Sequence, residues 1–235
     1  DLNSRAIVPL GSNRANDNFS RWGAPEFTNF KVTALSENLA NAWTGFYSVI
    51  TMANAVISDV QTKCSNSVSE RAKRTAIAEA RLMRAEALLK MKQYKETMED
   101  IDAVLAQNPE EETAILLRGK VKEANGQEEE AEADYQLVTE VNPFNEQAYL
   151  YLGQLFINQK KLTEAISLFD EAIELNPNFA EAYKERGRAK LLNGDKDGSV
   201  EDMKRSLELN PKDEASLNGE FKNLGPKQEA LPGIF

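Results

Sequence analysis

The chain has 235 residues and a net charge of −10 at pH 7, which is enough length to bury a substantial core. The charge has the wrong sign for nucleic acid, since phosphate binding needs a basic surface. There is no histidine, and Cys64 is the one cysteine. Ser-His-Asp and Cys-His catalysis, His-containing metal sites, thiolate zinc sites and an internal disulfide are therefore excluded. No apolar run approaches the roughly 18 residues of a membrane span.

Residues 1–34 are rich in Asn, Ser, Pro, Gly and Arg without a sustained period and read as irregular chain. The chain starts at Asp1 with no charged-then-apolar leader, as a trimmed or mature form would. From there Leu39, Trp43, Phe46, Ile50, Ala53, Ile57 and Val60 advance by steps of four and three. Such spacing predicts one apolar stripe on a long helix. A polar stretch at 63–69 ends it and makes Cys64 an incidental thiol at a helix end. Ser67 and Glu70 are spaced as a capping box for a second helix.

Beyond this point the prolines set the organisation. Pro109, Pro143, Pro177 and Pro211, each preceded by Asn, recur every 34 residues (143 − 109 = 177 − 143 = 211 − 177). Gly119, Gly153 and Gly187 keep the same phase, as do Ile115, Tyr149 and Tyr183. So do the small residues Ala131, Ala165 and Ser199 and the large ones Tyr135, Phe169 and Met203. Proline closes the second helix of each unit. Small residues let paired helices approach, and large apolar ones fill the space between pairs. Stacked pairs then share one continuous core.

This pattern resembles the tetratricopeptide (TPR) family. It implies an all-α, right-handed helical-hairpin solenoid with four repeats at 78–111, 112–145, 146–179 and 180–213. Residues 214–235 read as a partial capping helix and a tail. The stretch 35–77 and the start of the first repeat resemble a second family. Trp43, Tyr47, Ile50 and Ala53-Asn54 are similar to a helix of SusD/RagB-type outer-membrane proteins, and Glu79-Ala80-Arg81 with Arg84-Ala85 to the helix that follows it. That resemblance implies a lipid-anchored protein at the surface of Bacteroidetes-type bacteria that captures glycans for a TonB-dependent transporter. The two resemblances share a frame at Arg84-Ala85, and the second covers roughly residues 15–90.

The TPR phase places Lys120, Gln147, Gln154, Asn158, Lys184 and Arg188 on the concave face, where ligands would bind. Lys120, Lys184 and Arg188 could receive an acidic or carboxylate-ended peptide. The carboxylate clamp of chaperone-tail binders is not expected. Leu82 and Glu86, or Leu116, Lys120, Tyr151, Glu181 and Glu185, occupy its positions in the two registers. The acidic run Glu128–Asp134 reads as a solvated helix face with Ala131 turned to the core. Trp43 belongs to the apolar stripe. Trp22, in irregular chain, would either stack on a sugar or plug the end of the solenoid. No nucleophile motif, phosphate loop or cofactor motif is present, so no catalytic or metal residue is assigned. The expected function is non-catalytic recognition of a protein or peptide, with SusD-like nutrient capture as the alternative.

Overall fold

The computed structural model describes residues 34–64 and 68–213, with side chains from residue 43 onward. Among these residues there are nine α-helices and no strand. They are α1 (Ala34–Thr62), α2 (Glu70–Lys90), α3 (Tyr94–Leu105), α4 (Glu112–Ala124), α5 (Glu128–Val141), α6 (Glu146–Asn158), α7 (Leu162–Leu175), α8 (Ala180–Leu192) and α9 (Lys196–Leu209), followed by a 3₁₀ turn at Pro211–Asp213. The irregular segment, Trp22 and the cap at 214–235 lie outside the described residues. The chain forms two compact units, 1–48 and 49–235.

In the first unit the Trp43 ring lies 6.2 Å from that of Tyr47, one helical turn on. In the second unit the apolar stripe continues through Ala53 and Ile57, which are buried against Ala80 with Ile77 beside them. The helix that follows starts at Glu70, and its cap is Ser69, whose hydroxyl accepts from the Ala72 amide at 3.2 Å. The helix is thus capped by Ser69, which sits directly ahead of its first residue, and Ser67, the cap expected from the sequence, lies outside the described residues.

Consecutive helices pair as hairpins, α2 with α3, α4 with α5, α6 with α7 and α8 with α9. Each hairpin turns through one residue of positive φ: Lys92 at 58°, Gly126 at 77°, Lys160 at 62° and Gly194 at 92°. Each turn closes with an amide reaching back five residues, Gln93 to Leu88, Gln127 to Lys122, Lys161 to Phe156 and Asp195 to Lys190, all at 2.9 Å. This is the glycine-favoured end of a helix, filled by lysine in two hairpins out of four. The Asn-Pro corners between hairpins also have a local cause. Asn142 Oδ1 accepts from the Phe144 amide and Asn176 Oδ1 from the Asn178 amide, both at 3.1 Å. Their amide groups donate back to Glu112 at 3.0 Å and Glu146 at 3.3 Å, tying the end of each hairpin's second helix to the start of its own first helix.

The glycines shared by the last three hairpins admit a large side chain from the partner helix. A Cβ on Gly119 would meet Tyr135 Cε1 at 2.4 Å, and one on Gly153 would meet Phe169 Cε1 at 2.6 Å. Ala131, Ala165 and Ser199 are fully buried at the same crossings.

A second packing device was not legible as such in the sequence. Asp100, Asp134 and Asp202 are buried, and each takes two guanidinium nitrogens from an arginine 16 residues earlier. Arg84 reaches Asp100 at 2.7 and 2.5 Å, Arg118 reaches Asp134 at 3.0 and 2.8 Å, and Arg186 reaches Asp202 at 2.9 and 2.6 Å. Lys122 and Lys190 add a third contact to Asp134 and Asp202, each at 2.9 Å. Asp134, read from the sequence as the end of a solvated acidic face, is therefore a core residue. Arg84 also donates to Asn54, and Arg81 lies 3.4 Å from Asp100. The Ala53-Asn54 and Arg84-Ala85 motifs thus meet at Arg84, which in turn holds Asp100 of α3.

Candidate functional site

The first helices of the hairpins touch one another in series, α2 to α4, α4 to α6 and α6 to α8. Together they form one continuous face. An open groove of about 690 Å³ lies on it, lined by Glu86, Leu89 and Lys90 of α2, Leu117, Lys120 and Glu123 of α4, Tyr151 and Asn158 of α6, and residues of the adjoining turns.

At the centre of the groove the Lys120 ammonium lies 3.8 Å from the centroid of the Tyr151 ring. Lys120 makes no hydrogen bond or ion pair among the described residues. Burial holds its pKa below that of an ordinary lysine, against the partial support of Glu181 and Glu123. Burial, then the charges of Glu181 and Glu86, push the Tyr151 phenol up to about 12. Below that pH it is a neutral hydroxyl. Its ring leans on Tyr135 at 5.8 Å. The Tyr135 hydroxyl donates to Glu123 at 3.1 Å and the Asn158 amide donates to the other oxygen of Glu123 at 3.0 Å. Glu123 is thereby held by two donors beside Lys120. The groove offers a desolvated cation, a phenol and an ordered carboxylate at close quarters.

Of the residues singled out from the sequence, Lys120 and Asn158 line this groove. Gln147 and Gln154 on α6 and Lys184 and Arg188 on α8 are half-buried and lie outside its lining. Arg188 Nη1 stands 3.6 Å from Glu185, and its Nε is buried with no hydrogen-bond acceptor. Glu86, Lys90, Glu123 and Tyr151 went unassigned as ligand contacts. The repeat phase carried a usable signal for two of them. Glu86 precedes Lys120 by 34 residues and Glu123 follows Leu89 by 34, so a carboxylate replaces an apolar residue at one groove position.

Among the described residues no group of three or more acidic or cysteine side chains could hold a metal ion. No helix among them is long and apolar enough to cross a membrane.

Residues 116–178 and 168–201 match tetratricopeptide repeat families. A thermophilic TPR protein of Thermus thermophilus superposes with a TM-score of 0.59 at 15% identity, over 80% of this chain and 95% of its own. The crystal structure of MamA superposes with a TM-score of 0.51 at 16% identity, over 78% of this chain and 98% of that one. These likenesses show the fold, an all-α solenoid of TPR type. A SusD-like protein of Bacteroides ovatus is 65% identical over 85 residues, which are 36% of this chain and 16% of that protein's length. The resemblances to TPR repeats and to SusD-like proteins are thus both present in this chain.

Proposed function

We propose that the chain is a non-catalytic scaffold that holds a protein or peptide segment along the face built by α2, α4, α6 and α8. The observation that carries this reading is Lys120, a desolvated ammonium in an open groove without a hydrogen-bond or ion-pair partner among the described residues. The face of the Tyr151 ring offsets part of the cost of that burial but accepts no ordinary hydrogen bond, and an acceptor brought by a ligand supplies one. A carboxylate side chain or terminus, or the main-chain carbonyls of an extended peptide, supplies such an acceptor. Arg188 Nε presents the same need further along. Lys184 adds charge, and Gln147, Gln154 and Asn158 add amides that can bond a peptide backbone.

The test begins with selection of binders from a displayed peptide library against the purified chain, with affinities then read by fluorescence anisotropy. Peptides with acidic positions should be enriched. The Lys120→Glu/Lys184→Glu/Arg188→Glu variant, checked for unchanged helicity by circular dichroism, should bind them at least about tenfold more weakly. Equal binding by the folded variant would sink the reading.

A second reading is favoured by the identity to the SusD-like protein. In it the chain captures an oligosaccharide for a TonB-dependent transporter at the cell surface or in the periplasm of a Bacteroidetes-type bacterium, with Trp22 stacking on a sugar ring. Affinity electrophoresis in gels containing plant or host polysaccharides tests it. Retardation of the parent that Trp22→Ala abolishes supports it, and migration unchanged by any polysaccharide rejects it.

A further inference from the structure

In the second hairpin, α5 and the corner that follows it carry large apolar side chains in solvent. Leu137 is 38% exposed, Val141 43%, and Phe144, just beyond Pro143, 77%. The repeat provides an internal control for whether the fold demands this. The residues 34 positions from Leu137 and 68 beyond it are Ala103, Glu171 and Arg205; those matching Phe144 are Glu110, Asn178 and Lys212. The same backbone thus accepts charge or amide at both places. Position 141 is less telling, since Gln107, Leu175 and Leu209 stand at its counterparts. An apolar cluster that three equivalent hairpins do without has no role in holding the fold, and solvent exposure of such a cluster marks a contact surface.

Charge says what kind of partner fits. Glu129 and Glu140 are exposed on the same helix, and neither makes a hydrogen bond or ion pair among the described residues. Glu140 follows Leu137 by three residues and precedes Val141 directly, so the apolar cluster has a carboxylate at its edge. Leu137 and Val141 are one helical turn apart, with Phe144 a further turn's worth of residues on. That is the spacing at which an amphipathic helix presents its own anchors. We propose that this face of α5 docks a basic amphipathic helix of a partner protein. Its apolar stripe covers Leu137, Val141 and Phe144, and its Lys and Arg side chains meet Glu140 and Glu129. The aromatic ring of Phe144 is the anchor whose removal should matter most.

The experiment uses a labelled model helix of about 18 residues, long enough to be helical on contact, with Leu along one face and Lys elsewhere. Its twin carries Glu for every Lys. Fluorescence anisotropy should show the Lys peptide binding the intact chain, with affinity falling as salt rises. Leu137→Glu/Phe144→Asn, which installs the residues the third hairpin already carries, should weaken binding about tenfold or more at unchanged helicity and thermal midpoint. Equal binding of the Glu twin, or of the variant, would overturn the proposal. So would a dimer of the parent chain in sedimentation velocity that the same variant dissolves, because the occupant would then be a second copy.

Discussion

Where α4 faces α5, Arg118 and Lys122 close on the buried carboxylate of Asp134. Where α6 faces α7, the residues 34 positions on are Leu152, Phe156 and Leu168, and the contact is apolar, with Leu168 and Phe156 packed against the core. One hairpin further, Arg186 and Lys190 close on Asp202 in the manner of the first. The turns do not follow this division, since Lys92 turns the first hairpin, where Arg84 holds Asp100, and Lys160 turns the apolar one. A stack can therefore alternate the two chemistries without changing helix length or spacing. Buried ion pairs give little net stability over a well-packed apolar set of similar volume, but they are severe about the loss of one partner. The ionic hairpins are the brittle ones, and the apolar hairpin is the tolerant one.

The largest expected effect lies in an ionic hairpin. Asp202→Ala leaves Arg186 and Lys190 facing a site that no longer answers them, and should lower unfolding stability by about 3 kcal/mol in urea titrations. Leu168→Ala, at the matching place in the apolar hairpin, should lower it by about 1–2 kcal/mol because Leu168 is only partly buried. Equal losses would break the comparison. Next comes the glycine beneath the large side chain. Gly153→Ala puts a Cβ 2.6 Å from the Phe169 ring and should destabilise by about 2 kcal/mol. Gly187→Ala should cost less, since the flexible end of Met203 is its nearest contact at 2.9 Å, although Ser199 O at 3.1 Å leaves some residual strain.

A direct exchange sharpens the comparison further. Arg118→Leu/Lys122→Phe/Asp134→Leu writes the apolar set into the second hairpin, and thermal unfolding should show stability unchanged or raised by about 1 kcal/mol. A marked loss would mean that the ionic set fixes something beyond local packing. Smallest is Lys160→Gly, which relieves a left-handed lysine with φ of 62° and should raise stability by about 0.5–1 kcal/mol. A lower thermal midpoint for that variant would show that the Lys160 side chain contributes more than its backbone strain removes.

Much of this architecture is readable without coordinates. The 34-residue return of Asn-Pro, glycine and alanine marks hairpins and their stacking, and Ala131, Ala165, Tyr135 and Phe169 are all fully buried where the phase puts them. The candidate site is less legible. Lys120 and Asn158 line the groove, but their partners Glu86, Glu123 and Tyr151 emerge only when α2, α4 and α6 are set side by side. The charged residues of the core were harder still. Asp134 stands in a run of glutamates that are exposed or half-buried, and nothing in that run marks it as different. Its status depends on a guanidinium 16 residues away across a turn.

By itself, then, the sequence determined the helical class, the repeat length and the pairing of neighbours, because proline, glycine and small residues act through local backbone geometry and close approach. Only the tertiary structure decided which charges are core and which are free. A carboxylate is soluble or buried according to the donors that reach it, and those donors come from another helix. It also decided the groove, whose lining runs from Glu86 to Asn158. Residues that far apart in sequence become neighbours only through the stacking of three hairpins.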